Sequence, residues 1–458
     1  MRRVAIFGLL LIAACGVASD ATTTTTTGAT ATFPATTTTQ PALEFTVQNC
    51  ASPPITFSAL CEVYDLTQEW HVDRPVPDSV LAEVAIEALQ AYTSDETAER
   101  PRELLCAVPN DAFYGLCAQL AFMIDESSID VGPAVDAAVT AMADIGLDPF
   151  SYYVPPEQVG SFRDNGVVGG IGVLLDATDA AGSRCTLITA TCPLHIVFVL
   201  ENNPAAEAGL RAGDQITAVD GEPVEGQGFL ATTSKLAADE TGSVTVTYLR
   251  DGQTSEATMD RGQLTIPTVT VDLPLQGVGY LRIPDFEDDI PDLVAEALIS
   301  LAEHSPGTIV VDLRDNPGGF INAAVDVASE FIDGGIVMTS VGPDEDLEYP
   351  ATVGGLATSE RLIVLVNKGS ASAAEILAGA LRDERGATIV GTNTFGKDAV
   401  QIPFDMRNGG EFYVAVARWF TPNGDTVANG GLVPDRELEL SPDLSNEEVV
   451  RAVLEAVS

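Results

Sequence analysis

Three short apolar runs in the C-terminal half constrain this chain most: Thr308-Ile309-Val310-Val311, Arg361 through Asn367 (Arg-Leu-Ile-Val-Leu-Val-Asn), and Ala387-Thr388-Ile389-Val390-Gly391. Each has the length and β-branched content of a buried strand, and glycine or proline follows closely. Helical segments are expected at Asp292–Glu303, Ile321–Ile332 and Ser372–Asp383. After Thr265, strands therefore alternate with helices, which predicts an α/β core. Leu81–Leu89 and Ala134–Ile145 read as amphipathic helices and place a helical region ahead of it.

Ser372 falls where the second run turns into a helix, in Ser370-Ala371-Ser372-Ala373-Ala374-Glu375-Ile376. Unpaired N–H groups at a helix start carry partial positive charge and suit an oxyanion forming beside a nucleophile. The spacing Ser372-Ala373-Ala374-Glu375 fits a capping box equally well. Twenty-five positions on, Lys397 closes Thr394-Phe395-Gly396-Lys397. The 22 basic residues include only three lysines (Lys235, Lys368, Lys397), and none of the three histidines (His71, His195, His304) lies in either segment. A base for Ser372 would thus be a lysine, and a lysine becomes a base only where burial lowers its pKa by ~3–5 units. Otherwise a lone lysine is a solvated surface charge.

The span Val366 through Ile376, with Thr394-Phe395-Gly396-Lys397 and Gln401, resembles the active-site region of the C-terminal processing peptidases, the tail-specific serine proteases. The resemblance implies Ser372 as nucleophile, Lys397 as base and Gln401 as the residue that orients the lysine. It further implies an oxyanion hole from the N–H groups of Gly318, in the turn Asn316-Pro317-Gly318-Gly319, and of Ala373. It also implies a crotonase-like α/β peptidase core. Acyl-CoA hydratases share that core without a serine nucleophile, but no acid pair or CoA-binding basic patch supports them here. Ala374 stands where serine is common in the family, and Asp398 where glycine is common. Neighbouring side chains of an extended segment point to opposite faces, so Asp398 is expected to face solvent, away from Lys397.

Gly169-Gly170-Ile171-Gly172-Val173, followed by Asn203-Pro204-Ala205-Ala206-Glu207-Ala208-Gly209-Leu210 and Gly213-Asp214, looks like a bacterial PDZ domain. That likeness implies that Gly170, Ile171, Gly172 and Val173 receive a peptide C-terminal carboxylate while the peptide adds as a strand. The expected partners are the C-terminal tails of protein substrates; an activating partner is not specified.

Arg2-Arg3 and the apolar run Val4–Ala14 are too short for a ~20-residue membrane span. Ile12-Ala13-Ala14-Cys15 resembles a bacterial lipobox, implying a lipid anchor on Cys15 and a place on the outer face of a bacterial membrane. The threonine-rich Ala21–Pro41 cannot build a core and reads as a tether. Six cysteines remain, and short loops favour the pairs Cys50–Cys61, Cys106–Cys117 and Cys185–Cys192 among fifteen pairings. No Cys/His cluster has ligand spacing, so neither a metal nor another cofactor is expected. A net charge of −45 would repel nucleic acid and anionic lipid, which leaves membrane attachment to the anchor. Phe286-Glu287-Asp288-Asp289 reads as a solvated acidic run. The expected organisation is signal peptide 1–14, tether 15–44, helical region 45–160, PDZ domain 161–264 and peptidase core 265–458. A catalytically idle tail-binding scaffold is the rival from another class.

Overall fold

The computed structural model describes residues 55–93, 131–144, 146–156, 159, 169–179, 185, 187–199, 203–237, 242–263, 268–428, 430–441 and 444–458. The expectations for Cys15, Cys50, Cys106, Cys117 and the tether lie outside these residues. Among the described residues three helices come first, α1 (Ile55–Trp70), α2 (Asp78–Thr93) and α3 (Val131–Asp144), then strand β1 (Tyr152–Val154).

The second region holds β2 (Gly169–Gly170), β3 (Val173–Ala177), β4 (Leu194–Val199), α4 (Pro204–Glu207), β5 (Gln215–Val219) and β6 (Glu222–Pro223). It continues with α5 (Phe229–Ala237), β7 (Ser243–Arg250), β8 (Gln253–Asp260) and β9 (Gly262–Gln263). Its main sheet runs β3-β4-β5-β7-β8, so β3 is an edge strand among the described residues. Cys185 and Cys192 form the expected disulfide. The loop it closes buries Ile188 in the core of this region and bonds to the segment before α5: Ile188 N–H donates to Gln227 O at 2.9 Å, and Gly226 N–H to Ile188 O at 2.8 Å.

The last region holds β10 (Thr270–Leu275), β11 (Val278–Arg282), α6 (Ile290–Ala302), β12 (Thr308–Asp312), α7 (Ile321–Phe331), β13 (Ile336–Val341), β14 (Asp346–Pro350) and β15 (Arg361–Val366). It ends with α8 (Ala373–Arg385), β16 (Thr388–Gly391), β17 (Ala399–Asp405), β18 (Glu411–Phe420), β19 (Arg436–Glu437) and α9 (Asn446–Ala456). The three apolar runs are adjacent strands of a six-stranded sheet, order β10-β11-β12-β15-β16-β19, parallel except for β10. A parallel sheet is covered on both faces, which is why these strands are apolar throughout rather than alternating. On one face Tyr280, Val310, Ile363, Leu365 and Val390 meet Val449, Val450 and Val453 of α9. Alternate residues such as Ile309, Val311 and Val364 are buried toward the other face, where α8 packs on β15 and on α7.

A second, antiparallel sheet is organised around the ten-residue β18. One edge of β18 carries β17, from Ala399↔Arg418 to Asp405↔Glu411. The other edge carries β1 near its start and β13 near its end. The N-terminal helices share a core with this sheet: Leu60, Leu81, Val139 and Met142 pack with Phe412 and Val414. The helical region is thus continuous with the C-terminal half.

Truncating Phe412, fully buried at that seam, removes a large aromatic contact of β18 with the helices. Phe412→Ala is expected to cost about 3–5 kcal/mol, read as a lowered midpoint in thermal or urea unfolding. A midpoint unchanged from the parent would show that the helices do not share the core of the sheet.

Candidate active site

Ser372 caps α8 with φ +53° and ψ −114°, a conformation that costs a non-glycine residue ~1–3 kcal/mol unless its surroundings hold it. Those surroundings are well defined. Ser370 is fully buried; its hydroxyl donates to Leu313 O at 2.7 Å and accepts from Asn367 N–H at 3.0 Å. Asn367 Oδ1 takes the N–H groups of Asp315 and Gly369, both at 2.9 Å, and its amide donates to Asp315 Oδ1 at 2.6 Å. Ala371 N–H donates to Asn316 O at 2.9 Å. The loop that follows β15 is therefore laced to the turn that follows β12. Of the two serines, Ser370 is spent on these bonds, while Ser372 is half-buried and presents its side chain beside Gly318.

Gly318 has φ +104°, and a Cβ placed on it would lie 2.8 Å from Ser372 Cβ and 3.1 Å from Ala373 N. Only glycine lets this backbone come so close to the serine. Ala373 is the first residue of α8, whose N–H has no acceptor within its own helix. Gly318 N–H, the other expected oxyanion donor, donates to Asn316 Oδ1 at 2.8 Å in this structure. Asn316 is itself fixed, donating through Nδ2 to Ile283 O at 2.9 Å. Nothing in the sequence signalled that occupation, because Asn316 sits in the turn as an ordinary turn-former. Of the run expected to be solvated, Glu287, Asp288 and Asp289 are exposed, whereas Phe286 is fully buried and pairs with Gly319.

The residue that joins the two motifs is Glu375, 0 % exposed. Its Oε2 accepts Ser372 N–H at 2.8 Å and Lys397 N–H at 2.9 Å; its Oε1 accepts Gly396 N–H at 2.6 Å and the Thr394 hydroxyl at 2.5 Å. One oxygen thus holds the backbone nitrogens of Ser372 and Lys397 within roughly 6 Å of each other. All four partners donate, which calls for an ionised carboxylate. Burial nonetheless pushes its pKa above the usual glutamate value, against the opposing pull of those hydrogen bonds. The Ser-x-x-Glu spacing signalled a cap; that the cap also reaches the Gly396-Lys397 backbone was not legible.

Lys397 is half-buried, and Trp419 Nε1–H donates to its carbonyl at 2.8 Å. Gln401 lies on β17 and donates its amide to the carbonyl of Phe150. The expectation for Asp398 is corrected: it is 7 % exposed, not solvent-facing, and Arg418 of the neighbouring strand reaches it at 3.2 Å. An ion pair supplied from across the sheet replaces solvent. In the second region Gly170 and Gly172 have φ +140° and +81°, Ile171 is buried and its carbonyl accepts Ala205 N–H at 2.8 Å, and Val173 opens the edge strand β3. Among the described residues no His/Cys/Asp/Glu group is arranged to hold a metal ion, and no helix is long and apolar enough to cross a membrane.

A serine held in a strained turn against a glycine backbone, with a lysine segment tied to the same buried carboxylate, fits a serine-type peptidase. Comparisons with known proteins agree on the peptidase. The profile of peptidase family S41 matches residues 277–438, and that of the PDZ domain matches residues 169–260. A carboxyl-terminal-processing protease from Synechocystis sp. is 33% identical over 300 residues, covering 64% of this chain and 68% of that protein. A carboxy-terminal-processing protease from Bartonella bacilliformis is 30% identical over 314 residues, covering 67% and 69%. The solved photosystem II D1 C-terminal processing protease shares the fold with a TM-score of 0.64 at 24% identity, over 88% of this chain and 98% of that one. The chain belongs to the carboxyl-terminal-processing proteases of peptidase family S41, and it carries a PDZ domain.

Glu375→Gln keeps the shape but turns an amide NH2 toward groups that all donate. Loss of charged hydrogen bonds at ~1.5–3 kcal/mol each should cut turnover at least about ten-fold and lower the melting midpoint. Ser370→Ala should lower the midpoint by a similar step while keeping measurable turnover. The comparison is kcat beside thermal unfolding for both variants; full turnover in Glu375→Gln would remove Glu375 from the assembly of the site.

Proposed function

We propose that this protein is a lipid-anchored serine endopeptidase of a bacterial cell envelope, with a crotonase-like core, that takes protein substrates by their C-terminal tails and cleaves within them. Ser372 Oγ attacks the scissile carbonyl while neutral Lys397 accepts its proton, and the lysine then returns that proton to the leaving amine. The resulting acyl-enzyme is hydrolysed by water activated by the same lysine. Gln401 orients Lys397. The N–H groups of Ala373 and Gly318 stabilise the tetrahedral oxyanion, which requires the substrate oxygen to displace Asn316 Oδ1 from Gly318. The observation that carries the reading is the shared bond of Ser372 and Lys397 N–H groups to Glu375 Oε2. The capture of Asp398 by Arg418 also supports it, because a paired carboxylate has less hold on the charge of Lys397. The idle-scaffold reading drew either on that hold or on a displaced PDZ domain, and the ion pair bears on the first alone.

The PDZ groove follows from the same logic. The glycine-bounded segment Gly170-Ile171-Gly172-Val173 leads into an edge strand, so an extended tail can add to β3 with its carboxylate at the loop. Lipidation of Cys15 would hold the enzyme at the membrane through the threonine-rich tether, and the pairs Cys50–Cys61 and Cys106–Cys117 would oxidise after export.

Ser372→Ala and Lys397→Arg should both abolish cleavage of unfolded casein and of a fluorogenic peptide with a free α-carboxylate. A guanidinium stays protonated at any usable pH and cannot serve as the base. Full cleavage by either variant, with the fold intact by circular dichroism, would eliminate the dyad.

Replacing Cys15 by Ser should move the protein from the membrane fraction to the soluble fraction without changing turnover of the peptide. Retention at the membrane would assign the anchoring to another element.

A further inference from the structure

Beyond the two active-site loops, a buried polar cluster connected to the catalytic strands comes from the helical region. His71, directly after α1, is 2 % exposed, and its Nε2 lies 2.7 Å from Oδ2 of Asp148, itself 6 % exposed. Asp73 N–H donates to His71 Nδ1 at 3.1 Å, so Nδ1 is the acceptor and Nε2 carries the proton toward Asp148. Asp148 Oδ1 accepts the N–H groups of Phe150 at 2.7 Å and Ser151 at 3.0 Å, and Oδ2 also accepts the Ser151 hydroxyl at 2.5 Å. The imidazole and the serine both bond to the aspartate, and neither bonds to the other through these atoms. This is therefore not a Ser-His-Asp relay, in which the imidazole must face the hydroxyl.

What the cluster does instead is fix a backbone carbonyl. With its own N–H and that of Ser151 pinned to one carboxylate oxygen, Phe150 has its carbonyl held in one direction, and that carbonyl accepts the Gln401 amide. The tie is doubled at Ala415, the cross-strand partner of Gln401. Ala415 N–H donates to Ser151 Oγ at 3.0 Å, and its carbonyl accepts Val72 N–H at 2.8 Å. Anchoring the amide nitrogen of Gln401 on Phe150 O sets the plane of the amide and with it the direction of Oε1.

We propose that His71 and Asp148 are positioning residues for the catalytic base, acting through the Phe150 carbonyl on Gln401. The helical region then completes the active site rather than merely covering it. Burial by itself would raise the Asp148 pKa, yet the bonds from His71 and Ser151 hold it below the usual aspartate value, as an ionised hub requires. The inference rests on the proposed roles of Lys397 and Gln401.

The test is a double-mutant cycle on the full chain, with the fluorogenic peptide as probe and the folded fraction measured for each variant. His71→Leu should lower kcat about ten-fold or more with KM unchanged, whereas His71→Gln, which keeps a side-chain N–H donor, should recover most of the loss. Gln401→Ala should lower kcat as well. In the Gln401→Ala background, His71→Leu should cause no further fall, because the path it acts through is already gone. Fully additive effects, or a loss confined to the folded fraction with kcat per folded molecule unchanged, would overturn the proposal. Asp148→Asn repeats the cycle should His71→Leu fail to fold. If Lys397→Ala retains activity, the base assignment itself fails and this inference falls with it. If Lys397→Ala is inactive but the cycle is additive, only the positioning role is lost.

Discussion

Glu375 makes its hydrogen bonds where water cannot replace them, and the geometry of the catalytic half depends on that. A carboxylate with no exposure is costly unless each lone pair is satisfied, and here the donors are the backbone of the serine turn, the backbone of the lysine turn and a threonine hydroxyl. The Thr394 oxygen in turn accepts Leu432 N–H at 2.6 Å, which brings in the segment before β19. Removing one member leaves another buried group unpaired, so the arrangement behaves as a unit. The positive φ of Ser372 is sustained by this unit and by the close approach of Gly318.

A second set of constraints comes from the antiparallel sheet. β18 meets β17 with Gln401 on one edge, β1 and β13 on the other, and the helical core on its face. Arg418 on this strand joins Asp398, next to Lys397, with Asp73, next to the His71 cluster. One guanidinium thus bridges a carboxylate of the helical region and one of the segment that holds Lys397.

The strands of the parallel sheet were legible because burial on both faces writes an unbroken apolar run into the sequence. Thr308–Asp312, Arg361–Val366 and Thr388–Gly391 all lie where those runs predicted. The helices among them, Ile290–Ala302, Ile321–Phe331 and Ala373–Arg385, differ from the expected spans by one or two residues at their ends, where a cap such as Ser372 stands half in the helix. The serine and lysine motifs were legible as local patterns. Their junction was not, because Ser-x-x-Glu has the same spacing whether the glutamate is an exposed cap or a buried hub. Asp398 was misjudged for a related reason: strand alternation says which face a side chain takes, but not that Arg418 occupies that face. The C-terminal helix α9 did carry a readable signal, the Ser445–Glu448 capping box. Of the partners of β18, β17 adjoins it through the turn Asn408-Gly409-Gly410, whereas β1 and β13 had no such signal, since antiparallel neighbours far apart in sequence leave no local periodicity.

The hydrogen bond from Gln401 to Phe150 joins residues 251 positions apart, and the ion pair of Arg418 with Asp73 joins residues 345 apart. Such contacts close last, after the entropy of very long loops has been overcome. A chain still being synthesised holds Ser372 well before it holds β18, so it carries the proposed nucleophile without the strand that pairs with β17. Proteolytic competence is in this sense deferred to the completed polypeptide, and the timing is set by topology.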